Sequence, residues 1–289
     1  KLREMANGLN SAYTATLERV NVQPCALVGF GVKPLMWISL AEQPLLIGVL
    51  CYALAVDVES PSFDIEMVPP IETVVASCMG LVTIDHASST VRLVHATLQE
   101  YLRSHQGHVF RSPRAAIAGG CLSYLGIPSV RELLCDIETA TPAFPPHLCL
   151  LLRGAHARKQ LTPSIRELAL EILVQYPQHA AAIIFLRTKK RLCFLSGSSI
   201  VFSGLYYVAC FGIDEVSEAL LSMGWANLNQ RDRTPLILSA EKGHERVVRI
   251  LPSRADVDPN LLSYDGKTPL DIDSKCGHEG IVRLLQARK

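Results

Sequence analysis

A repeat in the last third of the chain constrains the fold more than any other feature. Thr234-Pro235-Leu236, Gly243-His244-Glu245, Val248-Arg249 and Leu251 recur as Thr268-Pro269-Leu270, Gly277-His278-Glu279, Val282-Arg283 and Leu285, each displaced by 34 residues. A unit this short cannot bury its apolar face alone, so copies must stack and share one core. The residue types say what each unit is. Threonine caps a helix start, proline suits the first turn, and leucine begins the buried face. Glycine ends this short helix by taking the left-handed conformation that a C-cap requires. Val247, Val248, Ile250 and Leu251 then form the apolar stripe of a second, antiparallel helix. An α-solenoid of paired helices is the expectation.

A weaker copy precedes these two: Ser203-Gly204-Leu205, Ala209, Gly212, Val216, Leu220, Leu221, Gly224 and Asn227-Leu228-Asn229. The spacing from Gly212 to Gly243 is only 31, which implies a shortened loop finger around Gln230 to Arg233. Period and signature resemble the ankyrin repeat, a unit of about 33 residues marked T-P-L-H-x-A, with one residue inserted near Arg254 to Asp258. The resemblance implies a protein-binding surface edged by loop fingers. One finger carries Asn229, Gln230, Arg231, Asp232 and Arg233, and the next carries Tyr264, Asp265, Gly266 and Lys267. Tyrosine and arginine are common interface anchors, while an ordinary solvated loop is the plain alternative. Further repeats are expected beyond Lys289. The usual histidine after T-P-L is Ile237 in one copy and Asp271 in the next. Asp273 stands where a small buried alanine is usual, and an unpaired buried carboxylate costs several kcal/mol. The expectation is that the last repeat's first helix frays there or that a partner covers it.

Upstream, Leu9, Tyr13, Leu17 and Val20 recur at helical spacing ahead of Pro24, which predicts one amphipathic helix over residues 1–22. Apolar helices follow near Ala26 to Leu40, Pro44 to Val56 and Ile71 to Met79. Leu81-Val82-Thr83-Ile84 and Val91-Arg92-Leu93-Val94 are β-branched runs joined by the turn-like Asp85 to Thr90, and another helix starts near Ala96. Three helices and a two-stranded wing make a winged-helix module.

The run Trp37-Ile38-Ser39, Pro44-Leu45, Leu54-Ala55-Val56, Pro69-Pro70-Ile71-Glu72, Cys78, Gly80-Leu81-Val82, Val91-Arg92-Leu93-Val94-His95, Thr97 and Gln99-Glu100-Tyr101 resembles a known family. It is similar to the winged-helix domain, named for GPI inositol-deacylase-like proteins, that follows the NACHT domain in fungal STAND proteins. The likeness continues through Thr141 to Ala182, where Gly154 and His156-Ala157-Arg158 resemble a helical linker, although Arg153 replaces its usual tryptophan. The expected layout is mainly α: 1–22 the last helix of a NACHT-region arm, 23–106 a winged-helix domain, 107–197 a helical linker, and 198–289 about three ankyrin repeats. The resemblance implies a signalling switch in which the NACHT domain binds ATP or ADP, the winged helix packs over the nucleotide, and the repeats sense a ligand or effector. No G-x-x-x-x-G-K-[ST] loop occurs in these 289 residues, so this chain is expected only to regulate an NTPase and to hold no cofactor itself. By resemblance His95 approaches the nucleotide's phosphates. The plainer alternative is that it caps or spaces the helix beginning at Ala96, with Gln99 and Glu100 on the solvated face.

Other chemistries fit poorly. Charge is balanced, 28 basic against 27 acidic residues, so no global field draws the chain onto nucleic acid or an anionic membrane. A DNA-reading helix needs basic and amide side chains, and Ile71 to Met79 carries one charge, Glu72. A serine hydrolase needs a G-x-S-x-G elbow, whereas Ser196-Gly197-Ser198-Ser199 reads as a flexible joint. His105, His108 and Cys121 lack a matching second pair of metal ligands. Leu192 to Ile213 is uncharged but broken by that serine-glycine turn, so it is not expected to span a membrane. Cys25, Cys51, Cys78, Cys121, Cys135, Cys149, Cys193, Cys210 and Cys276 form no C-x-x-C pair and read as reduced core thiols of a cytoplasmic protein. The start, Lys1 to Met5, has no initiator methionine and suggests truncation. The combined expectation is a non-catalytic, metal-free module that binds a protein partner.

Overall fold

In the computed structural model the described residues are 2–22, 30–41, 44–56, 65–127, 161–175, 204–224, 234–253, 257–263 and 265–287. They fall into two compact units, one ending at Ile127 and the other beginning at Pro128. The architecture is mainly helical with one small sheet.

The first unit runs α1 (Leu2–Asn21), α2 (Lys33–Leu40), β1 (Leu45–Leu46), α3 (Ile47–Ala55), α4 (Ile71–Ser77), β2 (Val82–Asp85), β3 (Thr90–Leu93), α5 (Ala96–Ser104), the single turn α6 (Gln106–Val109) and α7 (Pro113–Gly126). Every residue of α2 from Pro34 to Leu40 is buried, as an all-apolar helix must be. It packs on α3, α5 and β3, and the Trp37 indole lies 3.4 Å from where a β-carbon on Gly120 of α7 would stand. The amphipathic α1 buries Leu17 and Val20. Its polar side meets α5, where Tyr13 and Thr97 hydroxyls are 2.9 Å apart and those of Thr14 and Tyr101 are 2.8 Å apart.

The wing differs from its expected form. The hairpin is present, pairing Val82 with Leu93 and Asp85 with Thr90, but Leu45 and Leu46 also pair with Val91 and Thr90. The sheet therefore has three strands in the order β1-β3-β2, and the helix expected from Pro44 begins only at Ile47. Two residues are too few to display strand alternation, and Pro44, which has no N–H, suits the start of an edge strand. Asp85 secures the turn: its Oδ1 accepts from the Ala87 amide at 3.1 Å, and its Oδ2 pairs with Arg92 across the hairpin. Hydrogen bonding from Ser88 first, then the Arg92 charge and the backbone, holds this carboxyl below the ordinary carboxylate value.

The second unit contains α8 (Pro163–Gln175) and three helix pairs: α9 (Gly204–Phe211) with α10 (Asp214–Ser222), α11 (Pro235–Glu241) with α12 (Glu245–Ile250), and α13 (Pro269–Cys276) with α14 (Glu279–Gln286). The first helices stack with α11 between α9 and α13, and the second helices with α12 between α10 and α14. The caps are those the sequence asks for. Thr234 Oγ1 accepts from the Ile237 amide at 3.1 Å. Thr268 goes further: its Oγ1 accepts from the Asp271 amide at 3.1 Å while Asp271 Oδ2 accepts from the Thr268 amide at 3.0 Å, a complete capping box. Asp271 thus performs local work in place of the usual histidine. Successive repeats also lock through histidine, since His244 Nε2 donates to the Cys210 carbonyl at 3.0 Å. α8 was expected only as linker, yet it packs on α9 and α10, with Leu173 directly over Gly204.

Two expectations need correction. Helix α13 does not fray at Asp273, nor is that residue left waiting for a cover. It is 0% exposed, and His278 Nδ1 hydrogen-bonds its Oδ1 at 2.8 Å. Nor do all the thiols lie in cores: Cys51, Cys78, Cys121 and Cys210 are buried, whereas Cys276 is exposed in the last turn of α13. Cys25, Cys135, Cys149 and Cys193 lie outside the described residues. Among the described residues no helix is long and apolar enough to cross a membrane. Gly204 to Ile213, the described part of the uncharged run, is α9 and its closing turn.

Candidate functional site

The loop before the third helix pair is built by a hairpin turn. The Ser263 amide donates to the Lys267 carbonyl at 2.8 Å, the Gly266 amide returns to the Ser263 carbonyl at 2.9 Å, and Gly266 takes φ +67°. The Lys267 amide also donates to Ser263 Oγ at 3.2 Å, which fixes the chain one residue before the Thr268 cap. Of the residues expected to bind a partner on this finger, Asp265 is open and Lys267 partly so, with Lys267 Nζ 3.6 Å from Asp265 Oδ2. The neighbouring Leu262 is 54% exposed. An apolar side chain beside a loose surface ion pair is a serviceable contact patch, because the pair contributes little to folding and is free to re-pair. Tyr264 and the whole first finger, Asn229, Gln230, Arg231, Asp232 and Arg233, lie outside the described residues.

His95 occupies a different setting, at the boundary between β3 and α5. Its backbone, φ −141° and ψ 143°, is extended, and its carbonyl accepts the first helical amide of α5, from Leu98 at 3.2 Å. It caps by position only, since its ring makes no side-chain cap bond and is exposed. The ring lines a cleft of about 560 Å³ with Ile38, Ala41, Pro44, Leu45, Val91, Arg92, Leu93, Ala96, Gln99 and Arg103. Gln99 is part of this wall rather than of a fully solvated face, a correction to the plainer reading, while Glu100 is exposed as expected. The sequence pattern held this signal in the i, i+4, i+8 spacing of His95, Gln99 and Arg103. Only the position of β1 reveals that the stripe faces a cleft.

His105 and His108 stand at α6, where His105 Nδ1 lies 2.9 Å from the Tyr101 carbonyl and its ring stacks on Tyr101 at 4.4 Å. Cys121 is buried in α7. Burial pushes the Cys51 and Cys78 thiols up to about 11, so neither supplies a thiolate nucleophile near neutral pH.

Comparison with known families assigns both ends of the chain. Residues 31–110 match the family described as GPI inositol-deacylase, winged helix domain. Residues 205–289 match the family described as ankyrin repeats, three copies.

Proposed function

We propose that this chain, a winged-helix domain of the GPI inositol-deacylase type followed by ankyrin repeats, is the non-catalytic interaction part of a NACHT-type STAND signalling protein, and that its repeats grip a protein partner. Ankyrin repeats are interaction modules rather than catalysts, and the chain's own chemistry suits that role. The observation that carries the reading is the second finger: a rigid turn offers Asp265, Lys267 and the exposed Leu262 at the margin of a stack whose helices α9 and α11 are spent on the core. We extend the site to Tyr264 and Gly266 and to the first finger, Asn229 to Arg233. The fungal origin, the cytoplasmic location, an upstream NACHT domain and the absence of nucleic-acid binding belong to the same proposal. So does the division into an arm helix at 1–22, a winged helix at 23–106, a linker at 107–197 and repeats at 198–289.

The test is affinity capture with Asp265→Lys and Lys267→Glu introduced together, compared with the double reversal Arg231→Glu and Arg233→Glu. Loss of the same partner in both variants, with helical content unchanged, supports binding along the finger edge. Full retention in both would remove the fingers from the site.

A second reading rests on His95, whose exposed ring, free of a capping bond, opens into the cleft. In this reading the winged helix is the regulatory half of a nucleotide-dependent switch, and His95 turns toward phosphates held by a NACHT domain. The decisive sample is a chain extended upstream in its reading frame. If a P-loop lysine is encoded there and His95→Ala speeds nucleotide release, the switch stands. Unchanged release discards it.

A further inference from the structure

The cleft beside α5 has a composition that His95 alone does not explain. Its described lining contains no carboxylate or glycine, and its one aromatic ring is the His95 imidazole. Hydrogen-bond donors and apolar side chains both line it. Gln99 and Arg103 stand four residues apart on α5, a rise of about 6 Å, and His95 precedes them at the extended N-cap of the same helix. Arg103 is held in place, because its Nε donates to the Ser39 carbonyl at 3.1 Å and the rest of its guanidinium fork is left to bond elsewhere. Arg92, from β3, is already matched by Asp85 and adds little net charge. Ile38, Leu45, Val91 and Leu93 also line the cleft, and of these Leu93 is the most accessible.

We propose that this cleft docks an extended acidic segment of a protein partner. Charge complementarity names the occupant: the Arg103 cation and the donors beside it, with no acid among the described lining residues, call for carboxylates. The spacing names its conformation. Alternate side chains of an extended chain recur at about 6.7 Å, close to the rise between Gln99 and Arg103, so acids at every second position meet these two in turn. The aliphatic lining favours apolar residues between those acids. A nucleotide suits the described lining less well, since it offers no glycine-rich phosphate cradle. This docking site is independent of the repeat fingers.

The experiment uses the full chain and a fluorescein-labelled peptide alternating Glu with Leu, read by fluorescence polarisation. Saturable binding is expected, with Arg103→Glu weakening it by about tenfold or more and Gln99→Glu by several-fold. Gln99→Glu is the safer variant, because Arg103→Glu also removes the bond to Ser39; circular dichroism checks that each keeps its helix content. Lys267→Glu should leave this affinity unchanged, which separates the cleft from the finger site. Equal binding of a Lys–Leu peptide, no binding of the Glu–Leu peptide, or indifference to Gln99→Glu in a folded protein would each overturn the proposal. So would saturation of the cleft by inorganic pyrophosphate that displaces the peptide, since the site would then take a compact anion.

Discussion

Gly243 and Gly277 hold the same left-handed turn one repeat apart, with φ +72° and +82°. They differ in what stands above them: a β-carbon on Gly243 would lie 2.8 Å from His278 Nε2, whereas nothing comes within 4 Å of one on Gly277. Alanine at Gly277 should therefore cost only the backbone penalty of about 1–2 kcal/mol, and alanine at Gly243 should cost more because it must also displace the imidazole. Urea denaturation of the two variants checks the order. The buried Asp273 gives a second contrast. Its Oδ1 is paired, its Oδ2 finds no hydrogen bond of good geometry, and the nearby Val282 amide only tempers its charge. Burial therefore dominates and raises its pKa above 3.8. A raised folded pKa means the fold favours the neutral acid, so the stability contributed by this residue is present below the ordinary value and is lost as pH rises through the raised one. Asp273→Ser, which copies Ser239 of the preceding repeat, should gain on the wild type as pH rises from the ordinary carboxylate value through the raised one. His278→Ala should cost about 1–3 kcal/mol by leaving the carboxylate unpaired. In the double variant the surplus over lost packing should vanish, a coupling that thermal melts can read.

At the scale of the element, caps fix where the repeat helices begin. Thr234→Ala removes the one side-chain acceptor for the Ile237 amide and should cost about 1 kcal/mol. Thr268→Ala should cost more, because it breaks a box in which Asp271 and Thr268 serve each other. Melting of the repeats followed by far-UV circular dichroism would rank them. α8 is the element whose importance the pattern hides. It reads as one linker helix among several, yet its contact with α9 and α10 covers one face of the first pair. Replacing the buried Ile172 and Leu173 with Asp should unfold α9 and α10 before the later pairs, because a stacked repeat depends on its neighbours. Hydrogen exchange resolved along the chain would detect that order, and uniform protection across all three pairs would contradict it.

For the whole molecule, two compact units bring two kinds of surface: the turn from Ser263 to Lys267 on the repeats and a donor-lined cleft on the winged helix. The sequence by itself determined the parts whose forces are local. The capped, glycine-ended helix pairs follow from spacings of three and four residues, and the wing hairpin follows from alternation around a turn. Neighbouring residues carry those signals, so they survive being read in a line. The tertiary structure decided the rest. Leu45 and Leu46 become a third strand only because β3 passes beside them, some 45 residues later in the chain. Asp273 is tolerable only because the turn into α14 returns His278 to it. His95, Gln99 and Arg103 line a cleft only where α2, β1 and β3 complete it. The strand and the cleft depend on contacts between segments far apart in sequence, which no periodicity along one segment records, and the Asp273–His278 pair depends on the turn that separates its two helices.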